Sequence, residues 1–337
     1  MSKNLITCAV NPSTAVIIDD NRSFLLNITL QLDKNIVAKT FLNPEEALAY
    51  IAGKKEINVY HKILSVDATS SNYSYSSSHL PMQFDVSKLY EYVYNKDRFL
   101  EISVVVVDFD MPQMNGAEFC RQLRKLVKLP IKVIMLTGEA DTATAVDLFN
   151  DGLIDKFILK GRPDLEEILN AAILDMQNNY YRDLSDPLIN AISAEQDTAL
   201  GDPVLSELLK TVRDETSASS CYLIDSSGSF LLLDDNNTPH WLIIKTLSEL
   251  KEIAAQMEDA GLPDKLVTSL KQGDSMLYYY HSDNYFNDVE RTFKDHLYDA
   301  RKLAGNKEYR YFLTKKLPDF ALDTSKILSF NDFLKDH

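Results

Sequence analysis

VVVVDFDMPQMNG, residues 104–116, decides how the rest of the chain is read. Four valines run directly into Asp108, and a second carboxylate, Asp110, follows two positions later. An unbroken β-branched run is the pattern of a strand buried on both faces, as in a parallel sheet, whereas a half-exposed strand alternates. The sequence then turns at Met111-Pro112 and opens a helix at Asn115-Gly116.

The same punctuation recurs on either side. TAVII (14–18) ends on Asp19-Asp20 and leads into an amphipathic helix over 21–34, with Phe24, Ile28 and Leu32 at four-residue spacing. IVAKTFL (36–42) reads as a strand and NPEEALAYIAG (43–53) as a helix with Pro44 near its start and Gly53 at its end. After the valine strand come a helix over 115–128, strand IKVIML (131–136) ending on Thr137, and a helix over 139–152. Strand IDKFIL (154–159) ends on Lys160, and a long helix spans 163–184. Fivefold β-α alternation predicts a flavodoxin-like α/β fold: a doubly wound, five-stranded parallel sheet with helices on both faces.

Ligands of such sheets bind beyond the carboxyl ends of the strands. That edge should gather Asp19, Asp20, Asp108, Asp110, Thr137 and Lys160. One strand-end Asp is ordinarily a solvated loop residue; an ordered set on three strands, with a lysine on another, is a site. Carboxylates this close raise each other's pKa, and a hard cation relieves the repulsion. Mg²⁺ suits few carboxylates combined with a phosphate. Lys160 adds a second positive charge and Thr137 a hydrogen bond, which is equipment for phosphoryl chemistry, with one carboxylate as nucleophile.

The set IIDD, VVVVDFDMPQMNG, VIMLTGEAD and DKFILK resembles the receiver domain of two-component response regulators, over residues 14–178 with one interruption. The resemblance implies that Asp108 is the phosphoacceptor. It implies that Asp20, Asp108 and the Asp110 carbonyl ligate Mg²⁺, with Asp19 acting through metal-bound water. Thr137 and Lys160 would grip the phosphoryl oxygens, and Thr137 and Phe157 would form the switch. Gly161 stands where the family often has proline, and Asp110 and Glu139 occupy its variable flanking positions. The chain would then take phosphate from a sensor histidine kinase or phosphotransfer protein. Beyond catalysing its own phosphorylation and dephosphorylation it would not be an enzyme. A haloacid dehalogenase-type phosphatase is the rival, since DFD, VIMLT and Lys160 also fit its motifs. That family places Thr or Val where Pro112 stands and its metal-binding acid pair after the lysine.

From Asp20 to Asp108 the chain is far longer than the ~40 residues such a fold needs there. The excess marks an insertion at about 54–100, with a Ser/Tyr-rich stretch (69–81) and a helix over 85–99 that buries Leu89, Tyr92 and Val93. It leads into the start of the valine strand, so it belongs at the sheet end opposite Asp108. The receiver is thus expected over 1–184, a linker over 185–203 and a second, α+β domain over 204–337. The second domain reads as a helix at 203–216, a hairpin (220–225, 229–234), a strand at 241–246, helices at 247–260 and 285–304, and a strand at 309–317. The insertion and this non-standard output resemble a quorum-sensing kind of response regulator.

At 337 residues and a net charge of −15, with ordinary apolar content, the chain suits a soluble protein of about two domains and a poor general partner for DNA or anionic membranes. No signal peptide or membrane span stands out, and three scattered cysteines suit a reducing cytoplasm. The alternative output is DNA binding. LKEIAAQMEDAGLPDKLVTSLKQG resembles a helix-turn-helix only loosely; Arg291–Lys316 is richer in bases, with Tyr309 and Tyr311 between them. Without a cyclase, phosphodiesterase or phosphatase motif, protein interaction or homodimerisation is the expected output, the long helix being a candidate dimerising element.

Overall fold

Strand β2 (Thr14–Ile18) is buried along its whole length and pairs in parallel with β3 (Val37–Phe41) on one side and β6 (Ile102–Asp108) on the other. β7 (Lys132–Thr137) and β8 (Lys156–Leu159) extend the sheet beyond β6. The computed structural model describes residues 6–54, 64–66, 82–84, 86–138, 142–195, 198–279, 293–318 and 322–336. The order β3-β2-β6-β7-β8 is the doubly wound, flavodoxin-like arrangement, with the switch point between β2 and β6. Helices α1 (Arg22–Leu30), α2 (Pro44–Gly53), α4 (Gly116–Leu126), α5 (Thr142–Asn150) and α6 (Leu165–Glu195) follow the successive strands; α3 (Val86–Tyr94) lies in the insertion.

Burial explains the valine run. Val104, Val105, Val106 and Val107 have no exposed surface, and each such side chain stabilises the fold by roughly 1.5–3 kcal/mol relative to exposure. Val104 and Val106 join Ile17, Ile134, Leu169 and Ile173 in one cluster with the inner faces of α1 and α6. On α4, Phe119, Cys120 and Leu123 are buried.

The chain divides into two compact units. Asn11–Asn58 and Lys96–Leu184 make up most of the first; Met1–Val10, Val59–Asn95 and Ser185–Lys335 make up the second. The division falls after Leu184, and the first ten residues and residues 59–95 group with the C-terminal part.

The second unit contains a six-stranded antiparallel sheet in the order β1-β9-β10-β11-β15-β14. Its strands are β1 (Ala9–Val10), β9 (Ala218–Leu223), β10 (Phe230–Asp234), β11 (Pro239–Thr246), β14 (Arg301–Ala304) and β15 (Glu308–Thr314). A short pair, β12 (Ser275–Leu277) and β13 (Leu297–Asp299), stands apart, as does β4 (Leu64–Val66) with β5 (Met82–Phe84). Helices α7 (Pro203–Thr216), α8 (Leu247–Asp259), α9 (Asp264–Gln272) and α10 (Phe330–Asp336) complete the unit. Asp202 caps α7, accepting from the Val204 N–H, and its other oxygen accepts from the Asn306 N–H at 2.6 Å and the Tyr309 hydroxyl at 3.0 Å.

Several expectations need correction. The zone 185–203 is not an open linker: α6 continues through Pro187 to Glu195 and buries Leu188, Ile189 and Ile192. The expected helix over 285–304 is a 3₁₀ turn (Phe293–His296) followed by β13 and β14; residues 280–292 lie outside the described residues. Cross-strand packing decides this, with Tyr298 stacked on Phe312 and Leu303 opposite Tyr309. In the insertion, Leu89, Tyr92 and Val93 are buried as expected, and Tyr92 meets Tyr222 of β9 edge-on at 5.9 Å. Its Ser/Tyr-rich stretch (69–81) and Glu139 lie outside the described residues. The basic stretch is not a surface patch throughout. Arg310 is 5% exposed, and its Nε donates to the Gly273 carbonyl at 2.9 Å; Tyr309 is buried as well.

Candidate functional site

The carboxyl ends of β2 and β6 set two buried acids side by side. Asp19 is 0% exposed and Asp108 4%, while Asp20 faces solvent. Carboxylate oxygens of Asp19, Asp20 and Asp108 all lie within 4.8 Å of one another. From the end of β8, Lys160 sends its Nζ to 2.6 Å from Asp19 Oδ2 and 2.8 Å from Asp108 Oδ2. Asp19 Oδ2 is buried, and its one close polar neighbour among the described residues is this ammonium, as an ion pair. Thr137 closes β7, fully buried, and its hydroxyl donates to the Gly138 carbonyl at 3.1 Å. Phe157 is half-buried on β8. Asp110 is exposed, and its carboxylate is not one of the three clustered groups among the described residues.

Local signals hold these groups in place. The Asn21 N–H donates to Asp19 Oδ1 at 2.9 Å, while the Asn21 side chain caps α1 by accepting from Ser23 and Phe24. The acid pair therefore sits at a helix N-terminus, where negative charge is favoured. After Asp108, Gln113 takes a left-handed backbone (φ 75) and Asn115 caps α4. The Gly116 N–H donates to the Phe109 carbonyl at 2.9 Å. Its missing side chain matters: a Cβ there would stand 2.4 Å from the Asp108 carbonyl oxygen. Asn21, Phe24 and Gly116 were not among the residues expected at the site. Capping chemistry after Asp20 and a glycine opening α4 are the signals that mark them.

Burial raises the Asp108 pKa above the usual carboxylate range; Lys160 opposes this, Asp19 adds to it, and the Asp110 backbone N–H opposes it again. For Lys160, burial pulls downward, but hydrogen bonds and charges from Asp108 and Asp19 outweigh it, and the net direction is up. The two directions fit one picture. The ion pair is attractive, but one ammonium is divided between two buried acids, so one negative charge remains in excess. A cation would match that excess. The oxygens of the three clustered carboxylates are donors a hard divalent ion accepts.

The response regulator receiver domain family matches residues 84–172. That span begins within the insertion, most of which lies between it and Asp19 and Asp20. The solved structure of the Legionella pneumophila response regulator LqsR is 30% identical, with a TM-score of 0.79, and the match covers 99% of this chain and 97% of that one. The chain belongs to the response regulator family. A protein-glutamate methylesterase/protein-glutamine glutaminase of Hahella chejuensis is 34% identical over 73 residues. That is 22% of this chain, which spans only 20% of that relative's length. A receiver domain protein from Clostridium thermocellum is 18% identical, covers 50% of this chain and 95% of its own, and has a TM-score of 0.33.

As a response regulator the chain acts in two-component signalling, and neither the phosphatase nor the DNA-binding alternative is favoured. Among the described residues no helix is long and apolar enough to cross a membrane.

Proposed function

We propose that Asp108 is the phosphoacceptor of this response regulator. The observation carrying the reading is the Lys160 ammonium, 2.8 Å from Asp108 and 2.6 Å from Asp19, at the mouth of a three-carboxylate cluster. A carboxylate oxygen of Asp108 attacks phosphorus as the P–N bond of a phosphohistidine donor breaks. The imidazole leaves with the bonding pair and takes up a proton. The donor is a sensor histidine kinase or a phosphotransfer protein.

Lys160 then holds a phosphoryl oxygen, and Thr137 turns its hydroxyl from the Gly138 carbonyl toward the same group. Positioning and charge neutralisation carry most of such a reaction. Asp20, Asp108 and the Asp110 carbonyl would hold Mg²⁺, with Asp19 behind them; when bound, the ion neutralises charge developing on the phosphoryl oxygens. Turning Thr137 makes room for Phe157 to move inward, a two-state element biased by a local charge. Output is through protein interaction or homodimerisation in the cytoplasm, with no enzymatic step in the second unit.

Labelling with a small acyl-phosphate donor tests this reading. Wild type should label and Asp108→Asn should not; equal labelling of the two removes Asp108 from the role.

A further inference from the structure

The Lys160 Nζ stands 4.9 Å from the centroid of the Phe24 ring and over its face. Phe24 lies in the first turn of α1, held there by the Asn21 cap, and packs partly against the cluster of Ile17, Val106 and Leu169. Lys160 thus has three neighbours: Asp19, Asp108 and an aromatic face. We propose that Phe24 is the positioning residue for Lys160, holding its ammonium over the acceptor through a cation–π contact. The inference rests on the reading of Asp108 as phosphoacceptor.

The physical case is a division of labour. A lysine stem has four rotatable bonds, and its ammonium is normally strongly hydrated. The Lys160 side chain is 28% exposed, so its two carboxylates alone leave one flank open to water. An aromatic face there attracts the charge through its quadrupole and excludes water without competing for protons. It therefore leaves all three N–H groups for oxygen acceptors. When Asp108 becomes an acyl phosphate, the attraction to its carboxylate is replaced by one to a phosphoryl oxygen. The contact with Phe24 does not depend on that exchange, so it keeps the ammonium near the new group.

The test compares Phe24→Leu, which keeps apolar bulk but loses the ring, with Phe24→Tyr, which keeps it. Phosphorylation of the full chain by acetyl phosphate and beryllofluoride affinity by fluorine NMR are the readouts, with thermal melts checking folding. Phe24→Leu should slow labelling roughly two- to fivefold, the range of a partly exposed cation–π contact. Phe24→Tyr should stay near wild type. In a Lys160→Met background, Phe24→Leu should have no further effect. The Lys160 ε-methylene protons should show an upfield ring-current shift that Phe24→Leu abolishes. Equal labelling rates for wild type and Phe24→Leu, or an undiminished Phe24→Leu effect in Lys160→Met, would overturn the positioning role alone. A wild type that does not label, or that labels no better than Asp108→Asn, overturns the phosphoacceptor reading, and the positioning role falls with it. A missing ring-current shift removes the contact itself, whatever the labelling.

Discussion

Gly116 lies so close beneath Asp108 that any side chain at 116 would collide with the backbone of the acid: a Cβ would sit 2.4 Å from the Asp108 carbonyl oxygen and 3.0 Å from the Phe109 Cα. Both neighbours are backbone, so neither can rotate aside. Gly116→Ala should therefore cost about 1–3 kcal/mol, as overpacking of a tight contact does. It should also slow labelling, because relief must come from moving the β6–α4 turn that carries the carboxylate. Urea unfolding and beryllofluoride binding measure the two effects. A variant as stable and as reactive as wild type would show that the turn yields freely.

Asp108→Asn should melt higher than wild type at neutral pH. Burial raises the Asp108 pKa above the ordinary 3.8 of an aspartate, so the folded state holds the proton more tightly than the unfolded one. Relative to an uncharged side chain, the ionised acid is therefore a liability once the pH exceeds the raised folded value. As pH falls through that value toward 3.8, the liability disappears and the two melting curves should converge. A gap that widens on acidification would reverse the sign of the argument.

Millimolar Mg²⁺ should raise the melting temperature of wild type and much less that of Asp20→Ala. Stabilisation by a ligand that binds only the folded state reaches roughly 1.4 kcal/mol at ten times its Kd. Asp20 is the exposed member of the three-carboxylate cluster, so removing it leaves the buried pair intact. An unchanged melting temperature in both proteins would speak against a cation at this edge.

Arg310→Ala should destabilise the second unit without altering an affinity for nucleic acid. Its guanidinium donates to the carbonyls of Gly273 and Tyr309, and buried carbonyls left unsatisfied cost roughly 1–3 kcal/mol each. Duplex DNA titrations at physiological salt should stay weak for wild type, given a chain of net charge −15. Nanomolar binding that Lys302→Ser and Lys315→Ser weaken would restore a nucleic-acid output.

The parallel sheet was legible because strands buried on both faces announce themselves as apolar runs, and each run stops at a residue with chemistry. Asp19, Asp108, Thr137 and Lys160 could be placed at one edge from that rule alone. Phe24 could not, because on a helix repeating every four residues it reads as core. Its position over Lys160 depends on how closely α1 approaches the end of β8. The linker expected over 185–203, which holds Pro187, is a related case. A proline among Ser, Asp and Asn is usually a turn, yet Leu188, Ile189 and Ile192 gain enough burial to keep α6 helical through it. β1 carries no pattern at all: a two-residue strand has no period, and what makes it a strand is Tyr222 and Cys221, far along the chain.

That distant pairing has a consequence for how the molecule is made. Ala9 leaves the ribosome roughly two hundred residues before its partner Tyr222, a wait longer than most loop closures in a single domain. The five-stranded sheet has all its strands once Leu159 has emerged, so it can assemble while β1 still has nothing to pair with. The same lacing restricts what recombination can do with this gene product. A cut at residue 184 would separate β1 from its sheet and α3 from Tyr222. The second unit therefore cannot be exchanged as a simple C-terminal cassette: a transplant must carry residues from both sides of the receiver's first helices with it.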